Sequence, residues 1–74
     1  MPTMAVVKID GAKLKRLRER SFLTREELAE KANSHRDQIG RLERGEVDNP
    51  RIVTIRKLAA ALGVDPAELI EGSN

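Results

Sequence analysis

Apolar residues recur at intervals of three and four along most of the chain, which is the spacing of one face of an α-helix. The pattern predicts five short helices, whose apolar residues are Leu14 and Leu17 in the first, Leu28, Ala29 and Ala32 in the second, Ile39 and Leu42 in the third, Ile52, Ile55, Leu58, Ala59 and Leu62 in the fourth, and Leu69 and Ile70 in the fifth. Because the connections between them are short, the sequence predicts an all-α fold, a compact five-helix bundle.

Residues that favour helix ends mark the boundaries of these segments. Thr24 and Glu27 have the spacing of a capping box at the start of the second helix. Asn33 tolerates the left-handed conformation that ends a helix abruptly, and Gly45 and Gly63 are natural C-caps. Further N-caps are predicted at Asp10, at Ser34 or His35, and at Asp65, which precedes Pro66.

The first nine residues depart from helical spacing. Val7 and Ile9 alternate with Lys8, as apolar and polar residues do in a strand. We therefore divide the chain into an N-terminal segment over residues 1–9, a short strand or an extended arm, and a helical domain over residues 10–72. A single short strand needs a mate, so it pairs with another chain or packs on the helices.

A chain of 74 residues without cysteine excludes several classes of protein. It is too short for a deep catalytic cavity and pairs no nucleophile with a base, so we expect no enzyme and no catalytic residues. With no cysteine and one histidine, His35, we expect no metal site and no cofactor. The longest apolar run, residues 58–62, is too short to span a membrane, and residues 1–7 lack the features of a secretory signal. We expect a soluble cytoplasmic protein.

Charge is distributed unevenly along the chain. The 14 basic and 12 acidic residues give a net charge of +2. Residues 1–44 contain 11 basic and 7 acidic side chains, whereas residues 45–74 contain 3 and 5. The first part therefore suits a polyanionic partner, although ordinary solvated helix faces would explain the same distribution.

Residues 25–44 have the spacing of a helix-turn-helix, with the tight turn at Asn33. Ala29 is small enough for the third helix to cross close to the second. Ile39 and Leu42 anchor the third helix in the core and leave its outer face available. A helix presented in this way fits the major groove of B-DNA.

Over residues 9–71 the sequence resembles the lambda-repressor/Cro-like (Xre-type) helix-turn-helix regulators. Separated segments agree with that family in order and spacing, namely residues 23–32 (LTREELAEKA), 39–45 (IGRLERG), 49–50 (NP) and 58–64 (LAAALGV). The resemblance implies five helices and sequence-specific binding to double-stranded DNA. It also implies a homodimer that reads a palindromic operator, and hence a transcriptional regulator.

The resemblance assigns DNA contacts to particular side chains. Base contacts are expected from Arg36, Asp37 and Arg41, with Gln38 beside them able to reach adenine. Arginine suits guanine, whereas aspartate accepts only from cytosine and repels phosphates. Phosphate contacts are expected from Arg25, Ser34, His35 and Arg44. Arg18 and Glu43 match a structural ion pair that ties the first helix to the third.

Four residues depart from the family pattern. Asn33 stands in place of the usual turn glycine, at little cost. Ser34 stands in place of Val or Ile, so an apolar anchor under the turn is missing. His35 stands in place of a Ser or Thr cap, so that Ser34 caps instead or the helix start shifts by a residue. Gly40 weakens the third helix, and its expected benefit is a close approach of the backbone to DNA.

The acidic and partly apolar C-terminal part suggests a contact between chains. We expect Val64, Leu69 and Ile70 to form a self-complementary homodimer surface. The alternative is that Leu69 and Ile70 close the core of their own chain. The same composition leaves an alternative function open, that of a protein-interaction module of the same fold, such as an antitoxin-like or adaptor partner.

Overall fold

The structure is a computed structural model that describes residues 8–71. Within that range the chain forms α1 (Gly11–Arg20), α2 (Arg25–Lys31), α3 (Arg36–Glu43) and α4 (Ile52–Leu62), followed by a 3-10 turn (Pro66–Leu69). The predicted all-α fold is confirmed for these residues, and α2 and α3 form the helix-turn-helix. Among them, no helix has the length and apolar character needed to cross a membrane.

Local sequence explains where most helices begin and end. The carboxylate of Asp10 accepts a hydrogen bond from the backbone amide of Lys13 at 3.1 Å. Thr24 and Glu27 form the predicted capping box, with reciprocal hydrogen bonds of 2.8 and 3.0 Å. Asn33 adopts a φ of 52° at the end of α2, as its left-handed tolerance predicts.

The C-terminal segment differs from the prediction. The expected fifth α-helix is a single 3-10 turn, because Ile70 adopts an extended conformation and forms an antiparallel bridge with Ile9. Two backbone hydrogen bonds of 2.8 Å flank this bridge, and they join Asp10 to Leu69 and Glu71 to Lys8. Ile9 therefore pairs within its own chain. Residues 1–7 of the predicted strand or arm, and residue 72 of the predicted domain, lie outside the described residues.

The core between the helices consists of aliphatic side chains. The largest of those that are almost completely buried are Leu14, Leu28, Ile39, Leu42, Ile55, Leu58 and Leu69. All seven lie on the predicted apolar positions. Ile52 was expected among them but is 53% exposed, because the buried stripe of α4 begins only at Ile55.

Gly11 allows the start of α1 to approach the end of α3. A Cβ atom at residue 11 would lie 2.5 Å from the carbonyl oxygens of Leu42 and Glu43. No side chain fits there unless the backbone moves. The N-terminus of α1 thus meets the carbonyl end of α3, which favours both helix dipoles and fixes where α3 ends.

Candidate nucleic-acid interface

α3 has a buried side and an exposed side. Ile39 and Leu42 are almost completely buried and anchor the helix to the core. Arg36, Asp37 and Arg41 are exposed to solvent. Three of the four predicted base-contact residues therefore lie on the solvent side of one helix that the core holds rigidly, and their charges sum to +1.

Gln38, the fourth of these residues, is half-buried and bonded within the chain. Its amide oxygen accepts a hydrogen bond from the hydroxyl of Ser34 at 2.8 Å. Both side chains line a pocket of about 80 Å³, which α4 closes with Thr54, Lys57 and Leu58. The pocket lies where the sequence predicts a missing apolar anchor, because Ser34 is short and polar.

The N-terminus of α3 lacks a side-chain cap. His35 occupies the N-cap position, but its side chain makes no capping hydrogen bond, and the hydroxyl of Ser34 is directed to Gln38. The helix start has not shifted, since Arg36 is its first residue. The first amide groups of α3 therefore keep their partial positive charge, beside the exposed imidazole of His35.

Two arginine side chains cover Gly40. A Cβ atom at residue 40 would lie 3.2 Å from Nη1 of Arg44 and 4.0 Å from Cδ of Arg25. The expected close approach of the α3 backbone to DNA at Gly40 would therefore require these side chains to move aside. In consequence Arg25, from α2, and Arg44, the C-cap of α3, converge on the same turn of α3.

The carboxylate of Glu43 joins α1, α2 and α3 through two arginines. Its Oε2 atom accepts from Nε of Arg18 at 2.6 Å, and its Oε1 atom accepts from Nε of Arg25 at 3.2 Å. The side chain of Glu43 is 2% exposed and that of Arg18 10%, whereas the side chain of Arg25 is 44% exposed. The hydrogen bond to Glu43 raises the pKa of Arg18, although burial opposes the shift. The predicted ion pair between Arg18 of α1 and Glu43 of α3 therefore also positions Arg25.

Arg44 is held by an acidic residue that the sequence analysis missed. Its Nε atom donates to Oε2 of Glu46 at 2.8 Å, and both side chains are about half exposed. This hydrogen bond lowers the pKa of Glu46 and raises that of Arg44. The left-handed turn at Gly45, with a φ of 74°, brings the two side chains together. Glu46 therefore competes with any phosphate for Arg44.

A cleft beside the Glu43 network has a predominantly positive lining. It has a volume of about 280 Å³ and is lined by Arg18, Thr24, Arg25, Glu26 and Arg36. Three of the five lining residues are arginines, of which Arg18 and Arg25 are already bound to Glu43. Guanidinium groups bind phosphate oxygens through paired hydrogen bonds. The cleft connects the predicted phosphate contact Arg25 with the predicted base contact Arg36.

The predicted homodimer residues differ in their exposure. Leu69 is completely buried, because the 3-10 turn packs on α4, so its side chain belongs to the core of its own chain. Val64 and Ile70 are half-buried. The large apolar side chains that are most exposed among residues 8–71 are instead Phe22, Ile52 and Val53.

The sequence contained signals for these exposed residues. Phe22 is an aromatic residue within a connection between helices, where little core is available to cover it. Ile52 and Val53 are adjacent in α4, and neighbouring residues of a helix do not share one face.

Comparisons with known sequences agree with this geometry. The sequence model of a family described as a helix-turn-helix domain matches residues 11–71. A protein from Sinorhizobium fredii, described as the uncharacterized HTH-type transcriptional regulator y4dJ, is 37% identical over 67 residues. That similarity spans 90% of this chain and 86% of the relative.

Solved structures give the same picture. The restriction-modification controller protein C.AhdI from Aeromonas hydrophila is 40% identical, with a TM-score of 0.74 over 78% of this chain and 86% of that one. SinR from Bacillus subtilis, described as the master regulator for biofilm formation, was solved in complex with DNA. The SinR chain in that structure is 31% identical, with a TM-score of 0.74 over 78% of this chain and 92% of that one.

Proposed function

We propose that this chain, which belongs to the helix-turn-helix family of transcriptional regulators, binds a specific DNA sequence by placing α3 in the major groove. The two sides of α3 carry the proposal. Apolar residues anchor one side to the core, whereas Arg36, Asp37 and Arg41 are exposed on the other. The major groove admits an α-helix, and its base edges present a distinct hydrogen-bonding pattern for each base pair.

The exposed residues of α3 would read different bases. Arg36 and Arg41 would each donate two hydrogen bonds to a guanine, whereas Asp37 would accept from a cytosine amino group. Gln38 would donate through its amide nitrogen, since its oxygen is bonded to Ser34. Reading adenine with both amide atoms would require that bond to break.

The residues around α3 would bind phosphates. Arg25 and Arg44 lie together over Gly40, and Ser34 and His35 flank the uncapped amides of α3. Arg25 keeps guanidinium nitrogens available beyond the one that it donates to Glu43. Contacts on both sides of α3 would fix its depth and register in the groove without themselves reading sequence.

We propose a homodimer on a palindromic operator, because a single helix reads only a few base pairs. Two half-sites would then lie roughly 34 Å apart, one turn of B-DNA. The half-buried residues Val64 and Ile70 would contribute to the contact between chains. Leu69, the third residue that the sequence predicts for this contact, lies in the core and would not take part.

Selection of bound sequences from a random DNA pool tests the proposal. We expect one enriched palindromic motif. Binding to that motif should weaken about tenfold or more in Arg36→Ala and in Arg41→Ala, because each variant loses a bidentate base contact. Fluorescence anisotropy titrations at several salt concentrations would measure the change.

Arg56→Ala is the matched control, since it removes one exposed arginine from α4 rather than α3. We expect this variant to keep both the motif and nearly all of the affinity. A pool without enrichment, or equal losses in all three variants, would contradict the proposal. A pool without enrichment would favour the alternative of a protein-interaction module, whereas equal losses would indicate contacts to the DNA backbone alone.

A further inference from the structure

Phe22 combines two features that are unfavourable for folding. Its side chain is 93% exposed, although it is the one aromatic residue of the chain. Its backbone has a φ of 57°, in the left-handed region, where a Cβ atom crowds the backbone. A glycine at this position would adopt the same conformation without strain, and almost no buried apolar contact would be lost. The stability of the fold therefore does not explain this side chain.

The turn that carries Phe22 is firmly held. Its amide donates to the carbonyl of Glu19 at 3.0 Å, and the next amide, of Leu23, donates to the carbonyl of Arg18 at 3.2 Å. The guanidinium of Arg18 donates in return to the carbonyl of Leu23 at 2.7 Å. Arg18 also binds the buried carboxylate of Glu43, which in turn binds Arg25. The turn that carries the Phe22 ring is therefore connected to the residues that position Arg25.

The surroundings of Phe22 in the chain are strongly basic. Residues 15–25 contain five basic side chains, namely Lys15, Arg16, Arg18, Arg20 and Arg25, and a single acidic one, Glu19. All of the basic residues except Arg18, which is bound to Glu43, are exposed. An exposed aromatic ring amid cations suits a partner that carries negative charge next to apolar surface. A DNA backbone has this character, since each deoxyribose presents C–H groups between two phosphates.

We infer that Phe22 is a further DNA-contact residue, whose ring packs on a deoxyribose of the operator while the neighbouring arginines bind the adjacent phosphates. The inference rests on the proposed function, since it requires a bound duplex. It adds a contact outside α3 that is apolar and therefore independent of salt. Strain that the free protein keeps at a fixed position is typical of residues shaped for binding rather than for folding.

Two variants test this inference on the sequence motif enriched from the random pool. Phe22→Gly removes both the ring and the strain, and Phe22→Asn replaces the ring with a polar side chain that tolerates the left-handed region. We expect both to bind the motif about tenfold more weakly, because each loses a buried aromatic contact. The salt dependence should keep its slope, since no phosphate contact is removed.

Thermal unfolding separates this role from a role in folding. We expect the melting temperature of Phe22→Gly to rise by about 4 °C, because the strain disappears. Higher stability with weaker binding is a combination that a merely structural residue would not give. A lower melting temperature for Phe22→Gly would overturn the inference.

Hydroxyl-radical footprinting locates the contact, because it reports the accessibility of individual deoxyriboses. The wild-type protein should protect one sugar position in each half-site that Phe22→Gly leaves open. Val53→Ala is the matched control, since it shortens another exposed apolar side chain, on α4, and should change neither the footprint nor the affinity.

Specific binding by the wild-type protein together with unchanged affinity and footprint in Phe22→Gly would overturn the inference and leave the proposed function intact. That result would indicate that the ring serves a protein partner instead. Absence of specific binding by the wild-type protein would overturn the proposed function itself, and the inference with it.

Discussion

Single side chains decide how firmly α3 is held at its two ends. At the C-terminal end, the buried carboxylate of Glu43 binds Arg18 and Arg25, and such a pair specifies geometry because each partner would be costly to bury alone. At the N-terminal end, the hydroxyl of Ser34 bonds to Gln38 and a pocket remains beside Leu58. The two ends of α3 are therefore held by different interactions.

Replacing Ser34 with valine should stabilise the domain. The two methyl groups would fill part of the pocket of about 80 Å³ between α2, α3 and α4, and the gain should be about 1 kcal/mol in the free energy of unfolding. Urea denaturation measures the change. Ser21→Val is the control, because it makes the same substitution at an exposed residue and should gain nothing. Equal effects at the two positions would show that the pocket is unimportant.

At the scale of helices, two glycines on α1 and α3 have opposite surroundings. The missing side chain of Gly11 makes room for backbone, with the carbonyl oxygens of Leu42 and Glu43 only 2.5 Å from a Cβ atom. The missing side chain of Gly40 makes room for the movable end of Arg44. The contact between α1 and α3 is therefore rigid, whereas the cover over Gly40 can adjust.

These surroundings predict opposite results for the same substitution. Gly11→Ala should lower the free energy of unfolding by about 2 kcal/mol, because backbone must shift to admit the methyl group. Gly40→Ala should be neutral or stabilising by up to about 1 kcal/mol, because alanine favours helix and Arg44 can move aside. Chemical denaturation of both variants provides the comparison. A larger loss in Gly40→Ala would contradict this account of how α1 meets α3.

Features that depend on neighbouring residues of the chain were predictable from the sequence, whereas features that depend on distant residues were not. The capping box at Thr24 and the left-handed turn at Asn33 depend on neighbours in the chain, and both were predictable. The end of the last helix was not, because it depends on the pairing of Ile70 with the distant Ile9. Leu69 was expected either at a homodimer surface or in the core of its own chain, and it lies in the core.

The candidate site shows a similar limit. The exposure of Arg36 and Arg41 followed from the apolar spacing of α3. The convergence of Arg25 and Arg44 over Gly40 did not, because it depends on how α2 crosses α3 and on where the side chains then lie. The bond between Arg44 and Glu46 depends in turn on the conformation of Gly45.

At the scale of the whole molecule, the structure shows where the basic and acidic parts of the chain lie. The basic part, residues 1–44, includes α3. The acidic part, residues 45–74, includes Val64 and Ile70. In the proposed dimer the basic surfaces of both chains would face the duplex, and the less basic parts would meet at the two-fold axis. Electrostatic attraction would then orient the protein before any base is read.

The central claim is that α3 reads bases, and competition binding with single base-pair changes across the selected motif tests it most directly. We expect Arg41→Ala to lose discrimination, by about tenfold, at one position in each half-site and to keep it elsewhere. Arg36→Ala should lose it at a different position, and Arg56→Ala at none. If Arg36→Ala and Arg41→Ala instead weaken binding to every sequence equally, α3 contacts only the backbone and the claim is wrong.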